Sequence, residues 1–155
     1  MDNYLHITGH EELRKYYGEE LSFHDSEILT VLLDRGPQGP NEWSPSLTAV
    51  FHLFAWLPAD PKTHLFSFHK HSLATIRFNG IYDLEMDGFN HQNAILELII
   101  NRLEDVGHAQ RYSVCLDPAH GLGAKFICCS IELISFEKDL VGGKVPGGYK
   151  FNKDV

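Results

Sequence analysis

Positions 47–56 carry apolar side chains at nearly every residue, and on both parities: Leu47, Ala49, Phe51, Leu53 and Ala55 on one, Val50, Phe54 and Trp56 on the other. Successive side chains of a strand point to opposite faces, so a run of this kind is a strand that buries one face and greases the other. Further stretches repeat the period of two. Residues 72–79 put Ala74, Ile76 and Phe78 on one face, and 111–117 do the same with Tyr112, Val114 and Leu116. Residues 81–87 alternate Tyr82, Leu84 and Met86, expected inward, with Asp83, Glu85 and Asp87, expected outward, as a continuation of the preceding strand beyond Gly80. Residues 125–136 read as one long final strand with a bulge, because the apolar phase slips near Ser130. Residues 27–34 are apolar on both parities, as in a central strand covered on both sides. Residues 94–103 fit a strand or a helix, and their β company favours strand.

Helix signals are confined to the start. Thr8 can cap a short helix over 10–17, with Glu11 and Glu12 at its positive end, Arg14 and Lys15 later, and Gly18 as its stop. The segments 35–45, 57–62 and 119–123 read as loops or turns from their Gly and Pro content. The expected fold is therefore mainly β, α+β at the margin: an antiparallel β-sandwich or partly closed barrel with a short N-terminal helix. Residues 1–140 form one domain, and 141–155, with paired glycines and lysines, form a flexible tail.

Charge narrows the function. Thirteen Lys and Arg against 21 Asp and Glu leave a net charge of −8, which repels phosphate backbones and anionic membranes and attracts a basic partner. No apolar run approaches the ~20 residues that cross a bilayer, and the first 17 residues lack the apolar core of a signal peptide. Cys115, Cys128 and Cys129 are odd in number, two are adjacent, and no Cys-x-x-Cys spacing occurs. They read as free, buried thiols in a reducing cytoplasm rather than as zinc ligands.

Chemistry-bearing residues are few. His24 beside Asp25 could hold a metal or act as an oriented base, but neighbours on a strand face opposite ways unless they lie in a turn. The plainer reading has Asp25 and Ser26 bonding backbone amides at a strand start. The run from Gly88 through Asn90, His91 and Asn93 could bond a partner or satisfy itself across a structured loop. His52, His64, His69, His71, His108 and His120 are scattered; His69 and His71 would share a strand face, which is too little for a metal. No phosphate loop, nucleophile elbow or zinc-protease motif is present, so no catalytic residue, metal or cofactor is assigned. Asp83, Glu85 and Asp87 would make a negative ridge on one side of a strand, usually a solvated edge and sometimes a seat for a basic partner.

Several motifs, in order, resemble the immunity protein 50 family. They are Phe23-His24-Asp25-Ser26-Glu27-Ile28, Phe51-His52-Leu53-Phe54, the stretch from Leu84 through Gly88-Phe89-Asn90-His91-Gln92-Asn93, and Leu116-Asp117-Pro118-Ala119-His120-Gly121-Leu122-Gly123 followed by an Ile-Glu-Leu strand. The resemblance spans about 21–136. It implies a protein of bacterial polymorphic-toxin systems that binds and silences a cognate toxin, and it brings no catalytic residues; the net charge of −8 suits a basic toxin. Partner contacts are expected at Asp83, Glu85, Asp87, Trp43, Asn90 and His91. The alternative is a small metal- or ligand-binding domain or hydrolase using His24, Asp25, His52 and His91.

Overall fold

A computed structural model describes residues 3–37, 39, 43–104, 107 and 109–141. His108 and the segment 142–155, expected as the bulk of the tail, lie outside the described residues. After a 3-10 turn at Asn3–His6 come helix α1 (His10–Tyr17) and eight strands: β1 (Glu27–Asp34), β2 (Ser46–Leu57), β3 (Ser67–Asn79), β4 (Tyr82–Asp87), β5 (Ile95–Arg102), β6 (Tyr112–Pro118), β7 (Gly123–Cys128) and β8 (Ser130–Glu137). They form two four-stranded sheets, ordered β1-β2-β3-β8 and β4-β7-β6-β5, with every strand pair antiparallel. The fold is an antiparallel sandwich, without barrel closure.

The alternation in β2 and β3 does what its period requires. Leu47, Ala49, Phe51, Leu53, Ala55, Ala74, Ile76 and Phe78 are all buried, and they meet Ile95, Leu98, Ile100, Val114, Leu116 and Phe126 of the other sheet in one core. Phe78 meets Phe126 edge-on, with ring centroids 5.1 Å apart. The two sheets share a corner. The chain passes from β3 to β4 at Gly80, and from β7 to β8 at Cys129. The Cys129 N–H donates to the Asn79 carbonyl at 2.8 Å. Gly80 has φ +63°, and a Cβ there would lie 2.9 Å from the Cys129 sulfur. The phase slip near Ser130 is thus a change of sheet, where one bulged strand was expected, and β4 likewise leaves the sheet of β3 instead of continuing it.

The far side of the sandwich is pinned more lightly. The Asp25 N–H donates to Ile95 O at 2.9 Å, Ile95 N–H to Ser26 O at 3.0 Å, and Ile28 N–H to Asn93 O at 2.9 Å, tying the start of β1 to the start of β5. Strand β1 is an edge strand, where a doubly covered central one was expected. Ile28 is buried, but Leu32 and Leu33 are 60% and 48% exposed. Residues 94–103 resolve as the strand β5. A register shift between Ile95 and Glu97 places buried Ile95 and Leu98 three apart, which is why the sequence mimics a helix.

The N-terminal segment joins the sheets at a third place. Asn3 Oδ1 accepts from the Ile100 N–H of β5, while Thr8 pairs in parallel with Glu132 of β8. Thr8 N–H donates to Ile131 O, and Thr8 O accepts from Leu133 N–H, both at 2.9 Å. Thr8 is therefore spent on covering the β8 edge and does not cap α1, whose N-cap is Gly9 at φ +91° with no side-chain cap bond. Gly18 ends the helix as expected, its N–H donating to Arg14 O. Leu13 and Tyr17 enter the core, and the Tyr17 hydroxyl bonds the Ser72 hydroxyl at 2.6 Å.

All three cysteines are free, but burial differs from expectation: Cys128 is buried, Cys115 half-buried and Cys129 exposed. Cys115 alternates with Val114 and Leu116, which take the inner face, and Cys129 sits where the chain turns between sheets.

Candidate partner-binding surface

The outer face of the second sheet gathers the acidic residues. Glu85 pairs with Lys125, which pairs with Cys115, which pairs with Ile99. One row further on, Asp87 pairs with Gly123, and Asp117 with Glu97. Glycine contributes no side chain, so the four carboxylates of Glu85, Asp87, Asp117 and Glu97 stand on one face with Lys125 as the cation among them. Glu85, Asp87, Asp117, Cys115 and Lys125 line a shallow depression of about 630 Å³.

Asp83 does not stand in that line. Between the pairs Tyr82–Ile127 and Glu85–Lys125, two residues of β4, Asp83 and Leu84, oppose one of β7, Phe126, and Asp83 takes φ +53° at this bulge. The bulge reverses the phase. Tyr82, expected inward, shares the outer face with Glu85, is 39% exposed, and accepts a bond from Arg111 Nη1 at 3.3 Å. Met86 is 39% exposed as well. The ridge expected along one strand is instead a patch across three. Glu97 and Asp117 were missed because only register, which no local pattern carries, sets them beside Asp87.

The loop after β4 is locked. Asn93 is 3% exposed; its Oδ1 accepts from Asn90 N–H at 2.9 Å and Leu122 N–H at 3.1 Å, and its Nδ2 donates to Asn90 O at 2.8 Å. The Asn90 side chain accepts from Gln92 N–H at 2.8 Å. Gly121, at φ +74°, lies so close that a Cβ would stand 2.2 Å from Gln92 O. The amide-rich run thus clasps the β6–β7 turn, and its polar atoms are largely engaged within the chain, whereas His91 is exposed. Trp43 is 91% exposed, two residues before Pro45, whose carbonyl accepts from Ile81 N–H at 3.0 Å beside the corner.

The histidines fall into separate places. His24 and Asp25 occupy a turn, Asp25 at φ +62°, with Nε2 of His24 3.4 Å from Oδ2 of Asp25 and Nδ1 of His24 2.7 Å from Leu96 O. The Ser26 hydroxyl donates to Phe23 O at 2.7 Å, a carbonyl where an amide partner was expected. His69 and His71 do not share a face. Lys70, at φ +54°, forms a bulge that turns His69 out of phase, toward Glu20 at 3.0 Å, while His71 stays on the face of β2 that carries His52. Nε2 of His52 lies 3.0 Å from Nδ1 of His71, and the two residues are 1% and 7% exposed. Burial, and then the neighbouring His71, hold the His52 pKa down to about 4; burial lowers that of His71. Among the described residues no three His, Cys, Asp or Glu side chains converge to hold a metal, so His24, Asp25, His52 and His91 are not brought together as one.

Against known families, the model of Immunity protein 50 matches residues 9–138. The chain belongs to the immunity protein 50 family. The immunity protein 50 match takes in α1, which the motif resemblance over 21–136 omitted, and ends just after β8. No curated protein and no solved structure matches the chain. Among the described residues no helix is long and apolar enough to cross a membrane.

Proposed function

We propose that this protein binds a cognate bacterial toxin in the cytoplasm and neutralises it by occupying its surface, without chemistry of its own. The match to the immunity protein 50 family over 9–138 carries the reading. Charge supports it. A net −8 accelerates encounter with a basic protein and disfavours nucleic acid and anionic membrane as partners. Glu85, Asp87, Asp117 and Glu97 concentrate part of that charge on one face, with Asp83 in the same strand as Glu85 and Asp87 and the loop of Asn90 and His91 following that strand. Trp43 adds an exposed aromatic near the corner. Free thiols fit a reducing compartment.

The test is a triple variant, Asp83→Asn, Glu85→Gln and Asp87→Asn, which keeps side-chain shape and removes three charges. Association with the cognate toxin should slow at low salt and lose part of its salt dependence. Unchanged association kinetics across a salt series would make the face a solvated strand surface.

A further inference from the structure

The second face of β2 carries a graded stripe of rings that the proposed role has not used. His52 is 1% exposed, Phe54 half-buried, and Trp56 45% exposed; beside them β3 supplies His71 and Phe68, and the preceding turn adds Leu65 and Phe66, 65% and 64% exposed. The rings touch in sequence. Centroids lie 6.0 Å apart for His71–Phe54, 4.7 Å for Phe54–Phe68, 4.4 Å for Phe68–Trp56 and 5.8 Å for Trp56–Phe66. The bulge at Lys70 makes the stripe possible. Trp56 pairs directly with Phe68, and the extra residue lets His71, three positions on, meet Phe54 from the same side. Rings held edge-on to one another lose little freedom when a partner covers them.

We infer that this stripe is the apolar anchor through which the protein grips its partner, and that the partner is the toxin, presenting an uncharged apolar hollow. The inference rests on the toxin-binding reading and moves its energetic centre to the first sheet. With 150–250 Å² for an aromatic side chain, the exposed parts of Trp56, Phe66 and Leu65 total roughly 300–400 Å², the size at which a surface patch is commonly functional.

Two observations select the occupant. The carboxylates of Glu20 and Asp60 have partners within the chain. Glu20 is paired with Lys70 at 2.5 Å and His69 at 3.0 Å, and Asp60 Oδ1 accepts from the N–H groups of Lys62 at 2.7 Å and Thr63 at 3.3 Å. The stripe therefore has an apolar centre and a satisfied polar rim, the anatomy of a protein interface, while the unbalanced carboxylates lie on the other sheet. Area argues against a second copy seated stripe to stripe. Stripe against stripe would bury roughly 600–800 Å² in total, the scale of a lattice contact, whereas a stable specific interface needs about 1,200 Å² or more. A larger partner covers the stripe and continues onto the Glu20–Lys70 pair.

The test uses the full chain, its cognate toxin, and the single variants Trp56→Ala and Phe66→Ala, with Leu33→Ala, exposed at the far end of β1, as control. Each of the first two should speed toxin dissociation about 30-fold or more, the hot-spot scale, with association changed less than about 3-fold and the melting temperature near wild type. Phe66, more exposed than Trp56, keeps the test valid should Trp56→Ala fold poorly. Dissociation at the wild-type rate from a tight complex would overturn the stripe and leave toxin binding standing. Failure of the wild type to bind the toxin would overturn both. In sedimentation of the protein alone, a dimer abolished by Phe66→Ala would make the occupant a second copy. Toxin binding strengthened by deleting 142–155 would make it the chain's own end; Leu140, shortly before it in sequence, bonds His71 O through its N–H at 3.0 Å.

Discussion

Replacing Asn93 with Ala tests the clasp between the two loops at the acidic end of the molecule. The side chain accepts two backbone N–H groups and donates to one carbonyl. The three losses are not equal. Leu122 is fully buried, so its N–H cannot turn to water once Oδ1 is gone, and an unsatisfied buried donor costs ~1–3 kcal/mol. The Asn90 N–H and carbonyl sit in an exposed loop and can be hydrated, at ~0.5 kcal/mol each. The sum is ~2–4 kcal/mol, against ~0.5 or less for the exposed neighbour Gln92→Ala. Urea unfolding at pH 7, followed by circular dichroism, reads this as a lower midpoint at unchanged slope. Asn93→Asp keeps both acceptors but turns an oxygen toward Asn90 O, so it should be destabilised at pH 7 and recover partly when the carboxyl protonates. A loss below ~0.5 kcal/mol for Asn93→Ala, or one equal to that of Gln92→Ala, would refute the clasp.

The buried pair His52 and His71 should make the protein acid-sensitive. Both folded pKa values lie below the unfolded value of about 6.5, so the unfolded chain binds more protons as pH falls. The pair's full stability is present above pH ~6.5 and declines toward pH ~4, by about 3 kcal/mol for His52 alone. His52→Gln should flatten the stability-against-pH curve in that window, and a curve parallel to wild type would count against burial as the cause. Cys129 should alkylate in the native protein, whereas Cys128, its pKa pushed up to about 12 mainly by burial, should react only on unfolding. Peptide mass spectrometry of native and denatured samples distinguishes the two, and equal native labelling would be contrary to the structure.

What the sequence disclosed was whatever depends on neighbours two residues apart. The alternations in β2, β3 and β6 gave their buried faces directly, because the pleat alone decides them. Where the chain departs from the pleat, the reading failed in definable ways. Positive φ at Lys70 and Asp83 inverted the faces of His69 and Tyr82, and neither Lys70 nor Asp83 is a glycine that would have signalled it. The sheet change at Gly80 and Cys129 looked like continuation on one side and a bulge on the other. Apolar residues on both parities of β1 suggested double coverage, but an edge strand that leaves Leu32 and Leu33 exposed carries the same pattern. The candidate surface suffered most. Glu97, Asp117 and the ring stripe all depend on strands brought side by side, while the amide run of Asn90 to Asn93 proved to be engaged largely with its own loops.

The most direct measurement of the central claim is a neutralisation titration. A cognate toxin would be purified, its activity assayed, and this protein added in increments from well below to well above equivalence. Neutralisation by surface occupation predicts a linear loss of activity that ends sharply at a fixed, small ratio of protein to toxin, with a complex of that composition in size-exclusion chromatography. Full toxin activity at a tenfold excess, or inactivation at far less than one chain per toxin, as a catalyst would produce, would contradict it.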